Sequence, residues 1–211
     1  MNDKSFFAIM LRQRYIRRWG LMRSTRDESL TEHTADVAML AHALAVIGNE
    51  KFGKHRDADR AVTLALFHDV TEVYTGDLPT PVKYSTPELR ENYRFLEQGA
   101  ADRLLSHLPS FLREDYRALL LPDMEDAETA ELMKLVKAAD KLSALIKCIE
   151  ERNAGNREFL GAEKSTRASL EKMDCEELRW FIDNLLPAFE LTLDETEETE
   201  DTGDGGENAG E

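Results

Sequence analysis

Ala61-Val62-Thr63-Leu64-Ala65-Leu66-Phe67-His68-Asp69 opens as an apolar helical run and closes on an imidazole beside a carboxylate. A core helix would be expected to continue with aliphatic side chains at that point. Neighbouring residues on a helix are about 100° apart, so His68 and Asp69 can both reach an ion between their directions, most easily near the helix end. His33 lies earlier on another predicted helix and Asp140 later on a third. Two histidines and two aspartates form a four-ligand set suited to zinc, manganese, iron, cobalt or nickel. All four flank apolar periodic positions, which directs them inward or toward a cleft. The ordinary alternative for His33 alone is a hydrogen-bonded core histidine.

Helical signals extend in both directions from this run. Phe6, Phe7, Ile9 and Met10 start an amphipathic segment predicted to reach about Trp19. Ser29-x-x-Glu32 reads as a capping box opening a helix to about Ile47, and Asp57 can cap the helix that carries His68-Asp69. Gly76-Asp77-Leu78-Pro79-Thr80-Pro81 is a compact breaker, after which Thr86-Pro87 looks like an N-cap followed by proline at the first helical position. Pro109 and Pro122 bracket a short helix, and Asp126 starts a long one ended by Gly155-Asn156. A helix over about Arg157–Met173 follows, and Asp174-x-x-Glu177 resembles another capping box. No alternating strand pattern, repeat or internal boundary is evident. One all-α domain over residues 1–193 and an acidic, disordered tail over 194–211 follow from this pattern.

Composition narrows the chemistry. The 211 residues suffice for one sizeable core, with 42% hydrophobic and 33% charged residues. Of the net charge of −15, nine acidic residues fall in 191–211, which holds no basic residue. Such a segment cannot bury enough apolar surface to fold. An acidic protein repels nucleic-acid backbones, which favours a small-molecule substrate over DNA or RNA. No run of about 18 apolar residues is present, so no membrane span is expected. The N-terminal segment lacks the apolar core and cleavage site of a signal peptide. Cys148 and Cys175 match no metal spacing and read as reduced cytosolic thiols.

Other side chains add candidate roles. Glu72, four residues after His68, projects about 40° away on a continuous helix; a carboxylate beside the ligand set could move protons. Its ordinary alternative is a solvated helix-end glutamate. Arg17-Arg18-Trp19, predicted to end the first helix, offers a guanidinium for bidentate phosphate binding and an indole face for a base or sugar. The alternative is a solvated basic helix end over a packed tryptophan. Asp77 can accept hydrogen bonds from sugar hydroxyls or simply cap its turn. Lys137, one turn before Asp140, could touch phosphate or solvent, and Lys83 is a weaker candidate. His42 lies about 180° around the helix from His33 and reads as structural. His55 and His107 read as surface residues.

The ordered set His33, His68-Asp69, Asp140 matches the signature of the HD-domain superfamily. Arg18-Trp19, Leu21-Met22-Arg23, Glu32-His33, His68-Asp69-x-x-Glu72 and Thr75-Gly76-Asp77-Leu78-Pro79-Thr80-Pro81-Val82-Lys83-Tyr84 resemble the bacterial 5′-deoxynucleotidases of the YfbR type. Lys147-Cys148-x-Glu150-Glu151 and Gly155-Asn156-x-Glu158-Phe159 add to the likeness, which covers about residues 5–195. The resemblance implies an HD-type helical bundle, commonly a cytoplasmic homodimer. It implies hydrolysis of deoxyribonucleoside 5′-monophosphates, in preference to ribonucleotides, to deoxyribonucleoside and phosphate. It implies His33, His68, Asp69 and Asp140 as ligands to one divalent transition metal per subunit, cobalt, manganese or similar. Glu72 would be the catalytic carboxylate and Arg18 the phosphate-orienting group. Trp19 and the Asp77-Leu78-Pro79-Thr80 loop would hold the nucleoside. Three features depart from the pattern: Gly20 where proline is familiar after Trp19, Lys141 after Asp140, and the acidic end.

Rival readings stay within reach of the same signature. A cyclic-dinucleotide phosphodiesterase should carry a Gly-Tyr-Pro motif, which this chain lacks. A dNTP triphosphohydrolase is usually much longer. A guanosine-tetraphosphate hydrolase fits the chemistry, though the Arg-Trp and Gly-Asp-Leu-Pro-Thr-Pro pieces argue against it. A non-catalytic nucleotide- or metal-sensing module is the alternative from another class; Glu72 and Arg18 argue against that.

Overall fold

Short polar side chains start the long helices. In the computed structural model, which describes residues 4–83 and 85–198, Ser29, Asp57, Thr86 and Asp126 each accept from a backbone N–H in the first turn of the helix that follows. Each such cap is worth about 1 kcal/mol. Ser29 and Glu32 form the full reciprocal box. The helices are α1 (Phe6–Met10), α2 (Leu30–Phe52), α3 (Ala58–Phe67), α4 (Glu72–Thr75), α5 (Thr80–Lys83), α6 (Pro87–Ser106), α7 (Arg113–Leu120), α8 (Ala127–Asn153), α9 (Leu160–Leu170), α10 (Glu176–Asn184) and α11 (Leu193–Glu198). Among the described residues there is no β-strand, only an isolated antiparallel bridge between Arg17 and Ser29. No described helix is long and apolar enough to cross a membrane.

Two apolar clusters build the bundle. The larger joins α2, α3, α8 and α10 through Leu44, Leu64, Leu142 and Leu178, all essentially inaccessible. Truncating one of these leucines to alanine would cost about 2–5 kcal/mol. The smaller gathers Phe6, Val70, Leu104 and Leu108. Leu64 and Ala65 belong to the first cluster and Val70 to the second. His68 and Asp69 therefore lie at the seam, anchored on both sides by buried neighbours.

Three expectations are corrected. The first helix does not reach Trp19: α1 passes into a 3₁₀ turn over Leu11–Tyr15, and Ile16 is extended. Arg18 N donates to Glu28 O and Leu30 N to Ile16 O, so this segment pairs with the approach to α2 instead of coiling. Asp174 does not cap α10, whose N-cap is Cys175 without a side-chain bond. Glu177 is instead fully buried, salt-bridged to Arg56 and, at 2.9 Å, to Lys54. The third is α3, which stops at Phe67, so His68, Asp69 and Glu72 do not share one helix. Of the expected acidic tail, residues 194–198 lie in α11, where Thr192 and Glu195 exchange cap bonds. Residues 199–211 lie outside the described residues.

A buried carboxylate ties the 16–29 segment to α8. Glu151, 1% exposed, accepts from Thr25 N at 2.8 Å, Thr25 Oγ1 at 2.9 Å, Lys147 Nζ at 2.6 Å and Asn156 Nδ2 at 2.8 Å. Lys147 Nζ also donates to Arg26 O and Asn156 Nδ2 to Arg23 O. Burial alone would raise the Glu151 pKa, but the Lys147 ammonium and these N–H groups hold it at about 2. A depressed carboxyl stabilises the fold above its unfolded pKa of 4.5 and loses that contribution as pH falls toward 2. Glu151→Gln should therefore lower stability by about 2–4 kcal/mol at neutral pH. Urea melts should show the gap closing as the solution is acidified below about pH 4.5. A gap unchanged by acid would contradict this account.

Candidate metal and substrate site

The site begins where α3 ends. His68 N bonds Ala65 O and Val70 N bonds Phe67 O, three-residue spacings that tighten the chain and terminate the helix. His68 Nδ1 lies 2.6 Å from Ala65 O, one of the carbonyls the helix end leaves unsatisfied. Since a carbonyl only accepts, Nδ1 carries a hydrogen, which leaves Nε2 as the nitrogen that offers a lone pair to a metal once the ring is neutral. That Nε2 lies 3.0 Å from Asp69 Oδ2. His33, in the first turn of α2, is fully buried. Its Nδ1 faces Ser143 Oγ at 3.2 Å and Glu28 Oε1 at 3.5 Å. Its Nε2 faces Asp140 Oδ1 at 3.2 Å and Asp69 Oδ2 at 3.7 Å.

All four predicted ligand residues thus converge, with one donor atom from each within 4.8 Å of the others. Both Nε2 atoms are buried without a directed hydrogen-bond partner, although carboxylate oxygens lie close. A buried polar atom left in that state is costly. A cation bound by imidazole nitrogen and carboxylate oxygen resolves it, so the residues present fit a divalent transition metal. The electrostatics agree. Burial disfavours the His68 imidazolium, yet Asp69 beside it lifts its pKa to about 9. His33 is raised against burial by Asp140 and Glu28. Burial works against the charge on Asp69 and Asp140 too, but His68 and His33 hold them below the ordinary carboxylate range. The field of this cluster attracts positive charge.

Glu72 reaches the same place by a different route from the one expected. Glu72 N bonds Asp69 O at 3.0 Å, a turn that replaces the continuous helix and starts α4 at Glu72. The side chain is 5% exposed and its Oε2 is buried without a partner. Burial, then the nearby Asp69 and Asp77 carboxylates, push its pKa up to about 9. A carboxyl that keeps its proton near neutrality can donate it. Gly76, at φ +72° in the left-handed region, turns the chain so that Asp77 follows at once.

Arg18 closes the arrangement. Its guanidinium lies 3.9 Å from Asp69 and 4.0 Å from Asp77. Burial opposes its charge, but Asp77, Asp140, Glu28 and Asp69 together raise its pKa. Trp19 adopts φ +59°, alone among non-glycine residues described. For an aromatic residue that conformation costs about 1–3 kcal/mol, and such strain clusters at functional sites. Leu78 and Pro79 continue the turn after Asp77, half-buried, and Pro79 O accepts the first bonds of α5. Thr80 opens α5; its side chain lies outside the described set.

The remaining candidates are elsewhere engaged. Lys83 donates to Glu97 at 2.9 Å and lies over the Tyr93 ring. Lys137 is exposed on α8, and Lys141 donates to Ser169 Oγ at 2.7 Å. His42 is exposed, not structural as expected, because the ninth position from His33 turns outward. His55 is exposed, while His107 is half-buried and bonded to Ser5. Sequence reasoning missed Glu28 and Ser143. Ser143 follows Asp140 by three residues on α8, a spacing that puts both on one face of the helix, whereas Glu28 precedes α2 in a segment with no period to mark it.

Comparison with known proteins points the same way. The family described as "5′-deoxynucleotidase YfbR-like" matches residues 5–189. A 5′-deoxynucleotidase of Vibrio vulnificus is 45% identical over 195 residues, covering 92% of this chain and 99% of that protein. An HD-domain phosphohydrolase from Listeria innocua superposes with a TM-score of 0.75 at 25% identity, over 88% of each chain. The HD phosphohydrolase DatZ of cyanophage S-2L, solved with dA and one catalytic Zn²⁺ ion, superposes with a TM-score of 0.57 at 23% identity. That match covers 87% of this chain and 93% of the phage protein.

Proposed function

The chain belongs to the YfbR-like family of 5′-deoxynucleotidases, and on that premise we propose how its residues divide the work. It is a phosphomonoester hydrolase that releases phosphate from deoxyribonucleoside 5′-monophosphates. The observation that carries the assignment of roles is the convergence of His33, His68, Asp69 and Asp140 with the Arg18 guanidinium 3.9 Å from Asp69. Those four residues would hold one divalent transition metal. Such an ion supplies Lewis-acid neutralisation of phosphate charge and acidifies water. Arg18 orients the phosphate for in-line attack. Water oxygen bonds to phosphorus, the bond to the 5′ oxygen breaks, and Glu72 donates its proton to that departing oxygen; the proton lost by the attacking water passes by way of the released phosphate back to the Glu72 carboxylate, which restores it. Asp77 accepts from the 3′ hydroxyl, and the Trp19 indole crowds the 2′ position so that a ribose is disfavoured. Leu78, Pro79 and Thr80 form the wall beside Asp77.

A phosphate-release assay across deoxynucleoside, ribonucleoside and pyrophosphate-containing nucleotides, with cobalt or manganese and with chelator, tests this. Chelator-sensitive release from dAMP, with AMP at least about tenfold slower in kcat/KM, is expected. Trp19→Ala should bring the two substrates together. Equal rates on AMP and dAMP in the wild type would sink the sugar-gate role of Trp19. A homodimeric state and a cytoplasmic location are part of the same proposal. The family likeness supports both, and two buried free cysteines accord with a reducing compartment.

A further inference from the structure

Glu28 stands behind three functional groups at once. Its Oε2 accepts from the Trp19 indole Nε1 at 2.6 Å. Its Oε1 is the nearest carboxylate oxygen to Arg18 Nε, at 3.6 Å, and lies 3.5 Å from His33 Nδ1. Its backbone carbonyl accepts from Arg18 N at 2.9 Å. The side chain is 11% exposed, so these partners are not exchanged freely with water. Arg18 Nε is itself buried without a hydrogen-bond partner, which leaves the Glu28 charge as its local counterpart. The Trp19 ring also packs against Phe159, fully buried, with ring centroids 5.2 Å apart. An indole bonded at its nitrogen and packed against Phe159, on a backbone in the left-handed region, is restricted in orientation.

We propose that Glu28 is the positioning residue for sugar selectivity, fixing the Trp19 indole with one oxygen while its other oxygen aligns Arg18 and His33. The proposal rests on Trp19 acting as the sugar gate. Glu28 touches neither substrate nor reacting atoms. It acts through the residues that do, as hydrogen-bond partners orient metal-binding imidazoles and phosphate-binding guanidinia elsewhere. The two oxygens make the roles separable. Glutamine retains an oxygen that can accept from the indole but removes the charge facing Arg18 and His33; alanine removes both.

The test compares Glu28→Gln, Glu28→Ala and Trp19→Ala on dAMP and AMP. Trp19 emission is read without nucleotide in a Trp180→Phe background, since the chain has two tryptophans. Glu28→Ala should cut the dAMP/AMP ratio of kcat/KM by about tenfold or more, red-shift Trp19 emission and increase its quenching by acrylamide. Glu28→Gln should keep the ratio and the emission while raising KM for dAMP several-fold. Glu28→Ala with unchanged ratio and emission overturns the proposal, as does Glu28→Gln with unchanged KM. If Glu28→Ala does not fold, Glu28→Gln alone decides by that criterion. If Trp19→Ala leaves the ratio intact, the gate role itself is wrong and the selectivity claim for Glu28 falls with it. If Trp19→Ala abolishes the ratio and Glu28→Ala does not, only the claim for Glu28 fails.

Discussion

Glu72→Gln should lower kcat for dAMP by about 10²–10⁴-fold while leaving metal affinity and fold intact. The amide has the shape of the carboxyl but no proton of suitable acidity for the departing 5′ oxygen. Glu72 is 5% exposed among other carboxylates, and its carboxyl is pushed up to about 9. In the metal-free protein it is thus mostly neutral near pH 7, and there a neutral amide disturbs the local field little. The stability consequence has a definite sign. A carboxyl with a raised folded pKa stabilises fully below its unfolded value of 4.5 and loses that contribution as pH rises toward 9. Glutamine never ionises, so the chelated variant should gain on chelated wild type across that window. Thermal melts at two pH values, beside single-turnover phosphate release, would check both halves. Near-normal turnover would remove Glu72 from proton transfer.

Asp69→Asn should be the most damaging exchange among the four metal-site residues. Asp69 Oδ2 lies 3.0 Å from His68 Nε2, 3.7 Å from His33 Nε2 and 3.9 Å from Arg18, so one carboxylate would serve both a bound ion and the guanidinium. An amide offers a weaker neutral oxygen, and an amide nitrogen that would face two imidazoles and an arginine. Ligand loss should weaken metal binding by at least about 10²-fold, beyond what outer-shell changes produce. Titration calorimetry with cobalt or manganese, and metal content after dialysis, would measure it. In the wild type an ion at 100 times its Kd should add about 2.7 kcal/mol to stability, an increment the variant should lack. Affinity in the wild type should fall as pH drops, since His68, held up to about 9, must release its proton to bind. Retention of tight, stabilising metal binding in the variant would show that the ion is held elsewhere.

Much of the bundle is legible in local sequence because the forces that start and face a helix act within a few residues. Ser29, Asp57, Thr86 and Asp126 cap where their residue types suggest, and the apolar spacing of α2 and α8 marks the buried faces. The convergence of His33, His68, Asp69 and Asp140 is readable for the same reason, as polar ligand types at positions that apolar periodicity turns inward. The projection of Glu72 from His68 assumed an unbroken helix. It reached the right neighbourhood although α3 ends at Phe67, because the tightened turn returns the chain to the same seam.

What the tertiary structure alone decided is the conformation of the 16–29 segment. The amphipathic pattern after Phe6 reads as helix, yet backbone pairing of Arg18 with Glu28 and of Leu30 with Ile16 extends it. Glu151, more than a hundred positions away, then ties Thr25 and Arg26 to α8. Bonds between residues so far apart impose no period on the sequence, and a buried glutamate is spelled like an exposed one. Residue types and local spacing were enough to point to a candidate metal site and a candidate proton donor at the end of a helix. Only packing could set the Trp19 indole against Phe159 and bring Glu28 behind Arg18, Trp19 and His33 together. Those contacts depend on how the non-helical 16–29 segment folds back on itself and docks against α8 and Phe159, and no helical or strand period in the sequence records that.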